Sequence, residues 1–144
     1  MAESPVVTRH AFSLAATTGG VHSALEWFDG LAAQQAWPRK PIVGLRLCLD
    51  EALTNVARYA YADRDAHQAG VELAVEGLPT GVTVQVVDEG VPFDPTAARP
   101  AELAARLEDA DVGGHGIRFM RHFLQRFEYV REGSRNRLTL GVDW

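Results

Sequence analysis

The sequence predicts an α+β fold in which helices pack on one face of a mainly antiparallel sheet. Amphipathic helical patterns lie beside strand patterns, and the strands occur in pairs joined by short turns. The 144 residues are 47% hydrophobic and 23% charged, as is usual for globular domains. No linker rich in Pro, Gly or Ser divides the chain, so residues 1–144 are expected to form a single domain.

The first half of the chain predicts one strand and two helices. Residues 6–14 are rich in β-branched and apolar side chains and stop before Gly19 and Gly20, which indicates a strand. Apolar residues then recur at helical spacing between Val21 and Ala32, until Pro38. A second helix is predicted from Pro41, which suits a first helical turn, to about Tyr61.

The second half predicts two hairpins and a third helix. Residues 71–75 and 82–86 alternate in polarity around a turn, which predicts the first hairpin. A helix is expected over 115–127, followed by strands at 127–130 and 138–142 around a turn at 133–136. The long connection at about 89–114 is typical of a functional lid, with a short helical pattern inside it. The predicted order is β-α-α-β-β-lid-α-β-β, in a two-layer α/β sandwich with a mainly antiparallel mixed sheet.

Composition excludes several classes of function. The chain has 14 Lys and Arg against 19 Asp and Glu, a net charge of −5, and its basic residues are scattered, so nucleic acid is not an expected partner. No stretch approaches the length of a membrane helix, and the N-terminus does not resemble a signal peptide, so a cytoplasmic protein is expected. The single cysteine, Cys48, lies in an apolar helical pattern and is predicted to be a core residue.

Glu51 and Asn55 are the first candidate site residues. They are four positions apart in the second predicted helix and therefore share one face. A carboxylate can act as a base, and an amide oxygen can coordinate Mg²⁺, which also takes phosphate ligands. Taken alone, such a pair is more common on a solvated helix face.

Asp88 and Gly90 are the second pair, and they follow an apolar strand. An acid at a strand end can accept a hydrogen bond from an exocyclic amine, while a nearby glycine lets a flat ring approach the backbone. Asp and Gly are also common in ordinary turns.

A glycine run precedes the third helix, with Gly113, Gly114 and Gly116 around His115. Backbone amides at a helix start can hold phosphate oxygens, although a flexible linker is also rich in glycine. The run is neither a Walker loop nor a dinucleotide fingerprint. Arg118 and Arg121, just beyond it, could reach a phosphate or an acidic partner, or face solvent.

Together these features resemble the N, G1 and G2 boxes of the Bergerat-fold (GHKL) ATPases. Within that superfamily the chain is similar to the stand-alone anti-sigma-factor serine/threonine protein kinases over almost its whole length. The resemblance rests on residues 50–55 for the N box, 88–95 for G1, 114–117 for G2 and 136–140 for the closing strand. The family often has His four residues after the N-box Asn, where this chain has Tyr59.

The resemblance implies a role for each site residue. It makes Glu51 the general base and Asn55 the Mg²⁺ ligand, and it places Asp88 on the adenine amine and Gly90 beside the ring. The phosphates would be held by lid amides of two glycines, Gly114 and Gly116. ATP or ADP with Mg²⁺ would be the ligands.

The implied function is an ATP-dependent protein kinase that binds a sigma factor and phosphorylates an anti-sigma factor antagonist on Ser or Thr. A homodimer is expected from the family. Neither nucleic acid nor a membrane is an expected partner. The main alternative is a nucleotide-binding module that sequesters its partner without kinase turnover. The second alternative is a detached sensor-kinase catalytic domain, which would transfer phosphate to histidine.

Overall fold

The computed structural model describes residues 6–60, 70–97 and 115–144. The order of elements is the predicted one, with three helices and five strands in this part of the chain. They are β1 (Thr8–Ala15), α1 (Thr18–Gln34), α2 (Arg39–Asn55), β2 (Gly70–Leu78), β3 (Gly81–Asp88), α3 (His115–Phe123), β4 (Arg126–Glu132) and β5 (Arg135–Asp143). A π-helical turn, Val56–Ala60, continues α2. The short helical pattern predicted at 100–109 lies outside the described residues.

The five strands form one sheet in the order β1-β2-β3-β5-β4, and each described pair is antiparallel. The two predicted hairpins are confirmed, each with a two-residue connection. The second turn is shorter than the predicted 133–136, because β5 already begins at Arg135 and pairs with the end of β4. Gly133 in the second connection has φ 58°, in the left-handed region that glycine adopts without steric cost. The closing strand β5 lies between β3 and β4, so the end of β3 and the start of β5 are neighbours.

The core lies between one face of the sheet and the helices. Side chains alternate along β2 and β3, and the inward set is fully buried: Val71, Leu73, Val75, Val82, Val84 and Val86. Phe12 of β1 stacks on Trp27 of α1, and Phe28 and Leu45 are completely buried in the same cluster. The predicted two-layer α+β sandwich, with helices on one face, is therefore confirmed.

A side-chain cap marks the start of α1, whereas α2 begins without one. Thr17 caps α1, because its side-chain oxygen accepts a hydrogen bond from the backbone N–H of Gly20 at 3.0 Å. The link to α2 contains Ala36 with φ 54°, an unusual value for a residue with a side chain. The second helix begins at Arg39, two residues before the predicted start at Pro41.

The end of α3 differs from the prediction. The helix was expected to reach Phe127, but it ends at Phe123, and β4 already begins at Arg126. Gln125 N–H donates to the carbonyl oxygen of Gly141 at 2.9 Å, which ties the chain to β5 instead of continuing the helix. The apolar residues Leu124 and Phe127 fit a helical spacing in sequence. The N–H of Leu124 still donates to the carbonyl oxygen of Met120, whereas Phe127 lies in β4, where sheet pairing determines its conformation.

No helix within residues 6–60, 70–97 and 115–144 combines the length and the apolar character needed to span a membrane.

Cys48 is fully buried in α2, and desolvation raises the pKa of its thiol to about 12, with a smaller contribution from the negative charge of Glu51. We expect a thiol reagent such as Ellman's reagent to leave Cys48 unmodified in the folded protein at pH 8, because the reactive thiolate is neither formed nor accessible. Absorbance at 412 nm should rise only when denaturant unfolds the chain. Fast labelling of the folded protein would contradict the buried position.

Candidate functional site

The C-terminal end of α2 carries the first part of the site. Glu51 is half-buried, and Asn55, one turn later, is buried at the last position of the helix. The π-helical turn Val56–Ala60 follows directly, and such turns are frequent at functional sites. The structure therefore places the predicted N-box pair on one face of α2, with the amide further inside the protein than the carboxylate.

The amide end of Asn55 is unsatisfied. Its Nδ2 atom is inaccessible to solvent and has no hydrogen-bond partner within the described part of the chain. A buried amide without partners costs free energy, about 1–3 kcal/mol, unless a ligand completes it. Turned by 180°, the same amide presents Oδ1, an oxygen suited to Mg²⁺. The residue therefore fits a metal and phosphate ligand.

Asp88 is the last residue of β3 and is also buried. Its Oδ1 atom accepts two hydrogen bonds of 2.8 Å, one from the backbone N–H of Gly90 and one from Nδ2 of Asn136. These contacts fix the carboxylate, and a fixed acceptor is what recognition of an amine requires. With Oδ1 satisfied by two donors, Oδ2 remains as the acceptor for a ligand.

Gly90 lies directly against the turn that follows α2. A Cβ atom at this position would be 2.3 Å from the carbonyl oxygen of Ala60 and 2.6 Å from its Cβ. Val91 N–H donates to the same carbonyl oxygen at 2.9 Å. Because a backbone atom is the obstacle, only glycine fits here, and the close approach joins the segment after β3 to the end of α2.

Asn136 completes this arrangement, and sequence reasoning assigned it no role. It is buried at the start of β5, and its Nδ2 also donates to the carbonyl oxygen of Val91 at 2.9 Å. Its Oδ1 accepts from the hydroxyl of Tyr129 and from Nη1 of Arg131. The sequence marks Asn136 only as part of a closing strand, because local patterns do not show the register of β3 and β5 that pairs it with Asp88.

Asn55, Asp88 and Asn136 line one narrow pocket between the end of α2 and the sheet. Its free volume is about 20 Å³, about what one water molecule needs. Phe93 stacks on Tyr59 at the pocket, with ring centroids 5.4 Å apart. The pocket is smaller than a flat aromatic ring, so such a ligand can enter only if lining residues move. The lining residues are Ala52, Asn55, Val56, Ala60, Val86, Asp88, Phe93, Pro95, Tyr129, Asn136 and Leu138.

Gly116, in the first turn of α3, lies against Glu51. A Cβ atom at Gly116 would be 2.3 Å from Cδ of Glu51, so a larger residue would displace the carboxylate. The structure thus brings the predicted G2 glycine to the predicted base. Gly114, the other predicted phosphate-binding glycine, and lid residues 98–114 lie outside the described residues.

The surroundings of Glu51 change its acidity. Burial raises the pKa of its carboxyl group, the negative charge of Asp50 raises it further, and the positive charge of Arg58 partly offsets both. A carboxylate with a raised pKa binds a proton more readily, which is the property that a general base needs.

The residues that sequence left open have distinct positions. Arg121 donates from Nη2 to the carbonyl oxygens of Thr96 and Ala97, at 3.3 and 2.7 Å, and so ties α3 to the segment after β3. Arg118 is exposed, which fits the solvent or partner alternative. Tyr59 has a buried hydroxyl without a partner among the described residues, so its contact remains open.

Comparison with known proteins identifies the family. Residues 14–142 match the model of the histidine kinase-like ATPase domain. The chain is similar to the serine/threonine-protein kinase BtrW of Bordetella bronchiseptica, with 38% identity over 128 residues that cover 89% of this chain and 87% of the relative.

Three solved structures share the fold. The RsbU and RsbW domains of Rv1364c from Mycobacterium tuberculosis give a TM-score of 0.66 at 13% identity, covering 94% of this chain and only 32% of that longer one. The SiaB-SiaC complex from Pseudomonas aeruginosa gives 0.59 at 12% identity, covering 92% and 88%. The histidine kinase domain of the blue-light activated kinase EL346 from Erythrobacter litoralis gives 0.56 at 17% identity, covering 87% and 59%.

The match over residues 14–142 and the likeness to BtrW confirm the resemblance predicted from the three boxes: the chain belongs to the histidine kinase-like ATPase family, in its anti-sigma-factor serine/threonine kinase branch.

Proposed function

We propose that this protein is an ATP-dependent anti-sigma factor kinase that binds a sigma factor and phosphorylates an anti-sigma factor antagonist on Ser or Thr. The observation that carries the proposal is the convergence of Asp88, Asn55 and Asn136 on one buried pocket. Glu51 precedes Asn55 by one turn on α2. A relative named as a serine/threonine kinase supports the choice of acceptor.

Asp88 recognises the adenine ring in this proposal. Oδ1 is held by Gly90 N–H and Asn136, so Oδ2 accepts the hydrogen bond from the exocyclic amine of adenine. The buried position keeps water from competing for that bond, which strengthens it. Gly90 would lie beside the ring, and its lack of a Cβ atom lets the segment after β3 pack against the carbonyl of Ala60.

Asn55 would hold Mg²⁺ beside the ATP phosphates. Bound there, the cation would neutralise negative charge on the phosphates as the γ-phosphoryl group is transferred. The unsatisfied amide of Asn55 in the pocket supports this role. We also propose that the backbone amides at Gly114 and Gly116 hold phosphate oxygens at the start of α3.

Glu51 acts as the general base. Its carboxylate takes the proton from the Ser or Thr hydroxyl of the antagonist, whose oxygen bonds to the γ-phosphorus. The bond between that phosphorus and the bridging oxygen breaks, and ADP leaves. The raised pKa of Glu51 makes the carboxylate a stronger proton acceptor, at the cost that it is protonated at a higher pH than an exposed Glu.

Partner exchange would follow from the nucleotide state. ATP and ADP change the balance between sigma factor and antagonist only if they bind the two complexes with different affinities. The complex of the structurally similar SiaB with SiaC supports the expectation of a protein partner. We propose a cytoplasmic location and a homodimer on the basis of the family.

The decisive experiment is a transfer assay. The purified protein is incubated with Mg²⁺ and γ-labelled ATP and with each candidate antagonist domain from the source genome. Mass spectrometry then locates the phosphate. A phosphorylated Ser or Thr is the expected result. ATP binding without transfer to any candidate would favour the non-catalytic module.

Asp88→Asn is expected to weaken ATP binding by about 100-fold, because a charged acceptor is replaced by a group that can present a donor to the adenine amine. Isothermal titration calorimetry with Mg²⁺ and ATP measures the change. The matched control is Glu89→Gln, which removes the same charge one residue away, at an exposed side chain. Equal affinities for Asp88→Asn and wild type would refute the adenine assignment.

Asn136→Ala is expected to weaken ATP binding by about tenfold, because Asp88 loses one of two donors that hold it. The double variant with Asp88→Asn should bind no more weakly than Asp88→Asn alone, since Asn136 acts through Asp88. Arg137→Ala, the next position on the opposite face of β5, is the control. Additive losses in the double variant would show that Asn136 acts independently of Asp88.

Glu51→Gln is expected to keep ATP affinity and to stop phosphoryl transfer. It should also raise the midpoint of thermal unfolding at pH 7. Folding raises the pKa of the Glu51 carboxyl group, so the protonated group stabilises the folded protein below the pKa of the unfolded chain. This stabilisation is lost as the pH rises through the pKa in the folded protein. At pH 7 the charged carboxylate therefore costs stability that Gln does not.

The stability difference should therefore shrink as the pH is lowered, and wild-type transfer should slow over the same range as Glu51 is protonated. Glu128→Gln, at an exposed position of β4, is the control for loss of a charge. Transfer by Glu51→Gln at the wild-type rate would remove Glu51 from the mechanism.

A further inference from the structure

Helices α2 and α3 pack side by side in opposite directions. At one end, Gly116 of α3 lies against Glu51 of α2. At the other, a Cβ atom at Gly44 of α2 would be 2.0 Å from Cζ of Phe123 of α3. The two contacts are seven residues apart on both helices, about two turns, so the helices stay in contact along this length.

An exposed apolar surface lies beside this contact. Val43 and Leu47 of α2 are 49% and 53% exposed, and Phe119 of α3 is 39% exposed. Val43 and Leu47 are one turn apart and share a face of α2. Phe119 stacks on Phe123, with ring centroids 5.2 Å apart and planes inclined by 11°. We name these four residues the α2–α3 patch.

Basic residues border the α2–α3 patch. Arg39 and Lys40 lie one turn before Val43, and Arg118 precedes Phe119. All three are exposed, and none is in an ion pair within the part of the chain that the structure describes. The whole chain carries a net charge of −5, so this positive border is a local feature. A second copy of the chain docked here would bring like charges together, whereas an acidic partner would neutralise them.

We propose that the α2–α3 patch is the docking site for an amphipathic helix with acidic borders on the protein substrate, a proposal that rests on the kinase function. Two apolar residues one turn apart beside an aromatic ring suit the helix-in-groove mode of recognition. Leu47 lies one turn before Glu51 on α2. A helix seated on the patch therefore holds the rest of the substrate beside the base.

The first test uses the antagonist that the transfer assay identifies. Leu47→Glu and Phe119→Glu should each raise KM for the antagonist by about tenfold and leave kcat and ATP affinity unchanged. Lys40→Glu should raise KM and reduce its dependence on salt. The control is Val130→Glu, since Val130 is 47% exposed on the opposite face of the sheet. Unfolding curves verify that each variant folds. Unchanged KM in Leu47→Glu and Phe119→Glu would overturn the proposal.

The second test needs no kinase activity and therefore separates failure of docking from failure of the proposed function. Two labelled 18-residue helical peptides carry the same apolar stripe, one bordered by Glu and the other by Lys. Fluorescence anisotropy should show binding of the Glu peptide at least about tenfold tighter than the Lys peptide, lost in Leu47→Glu. No binding of the Glu peptide, equal binding of both, or a wild-type dimer that Leu47→Glu dissociates would each overturn the proposal.

Discussion

The buried carboxylate of Asp88 is the constraint on which the site depends. A charge removed from water is tolerated only when hydrogen bonds replace its hydration, and here Gly90 N–H and Asn136 supply them. This requirement extends to the sheet, because Asn136 faces Asp88 only in the observed register of β3 and β5. A slip of one residue would turn Asn136 to the other face and leave the carboxylate without that donor. The same strand register therefore pairs β3 with β5 and holds the Asp88 carboxylate in place in the pocket.

Two features at the end of α2 reduce the stability of the folded protein. Glu51 is partly desolvated, and Asn55 buries an amide that no described residue satisfies. Both arrangements cost free energy in the absence of a ligand. The surrounding core, with Leu49, Ala52 and Leu53 of the same helix buried against the sheet, provides the stability that makes this possible. Such a combination is typical of sites that bind charged ligands.

The sequence predicted the elements well because their signals are local. Helical spacing located α1 and α2, and alternation located the first hairpin. Two segments on either side of a turn located the second hairpin, and the spacing of Glu51 and Asn55 placed them on one helix face. Contacts between distant residues were not predictable in this way. Asn136 is 48 residues from its partner Asp88, and Arg121 is 25 residues from Thr96. The predicted end of α3 was also wrong, because the hydrogen bond from Gln125 to β5 and the pairing of Phe127 with Leu140 override the helical spacing of the sequence.

Helix α3 connects the parts of the site that act on different ligands. Its first turn touches Glu51, Arg121 in its last turn holds the carbonyl oxygens of Thr96 and Ala97, and Phe123 at its end packs on α2. Arg121 ties the continuation of the segment carrying Phe93 to α3. A shift of that segment therefore acts on the helix that also touches Glu51 and borders the exposed apolar surface. Linkage then requires that a partner which holds α3 in one position alters nucleotide affinity by the same factor that the nucleotide alters affinity for the partner.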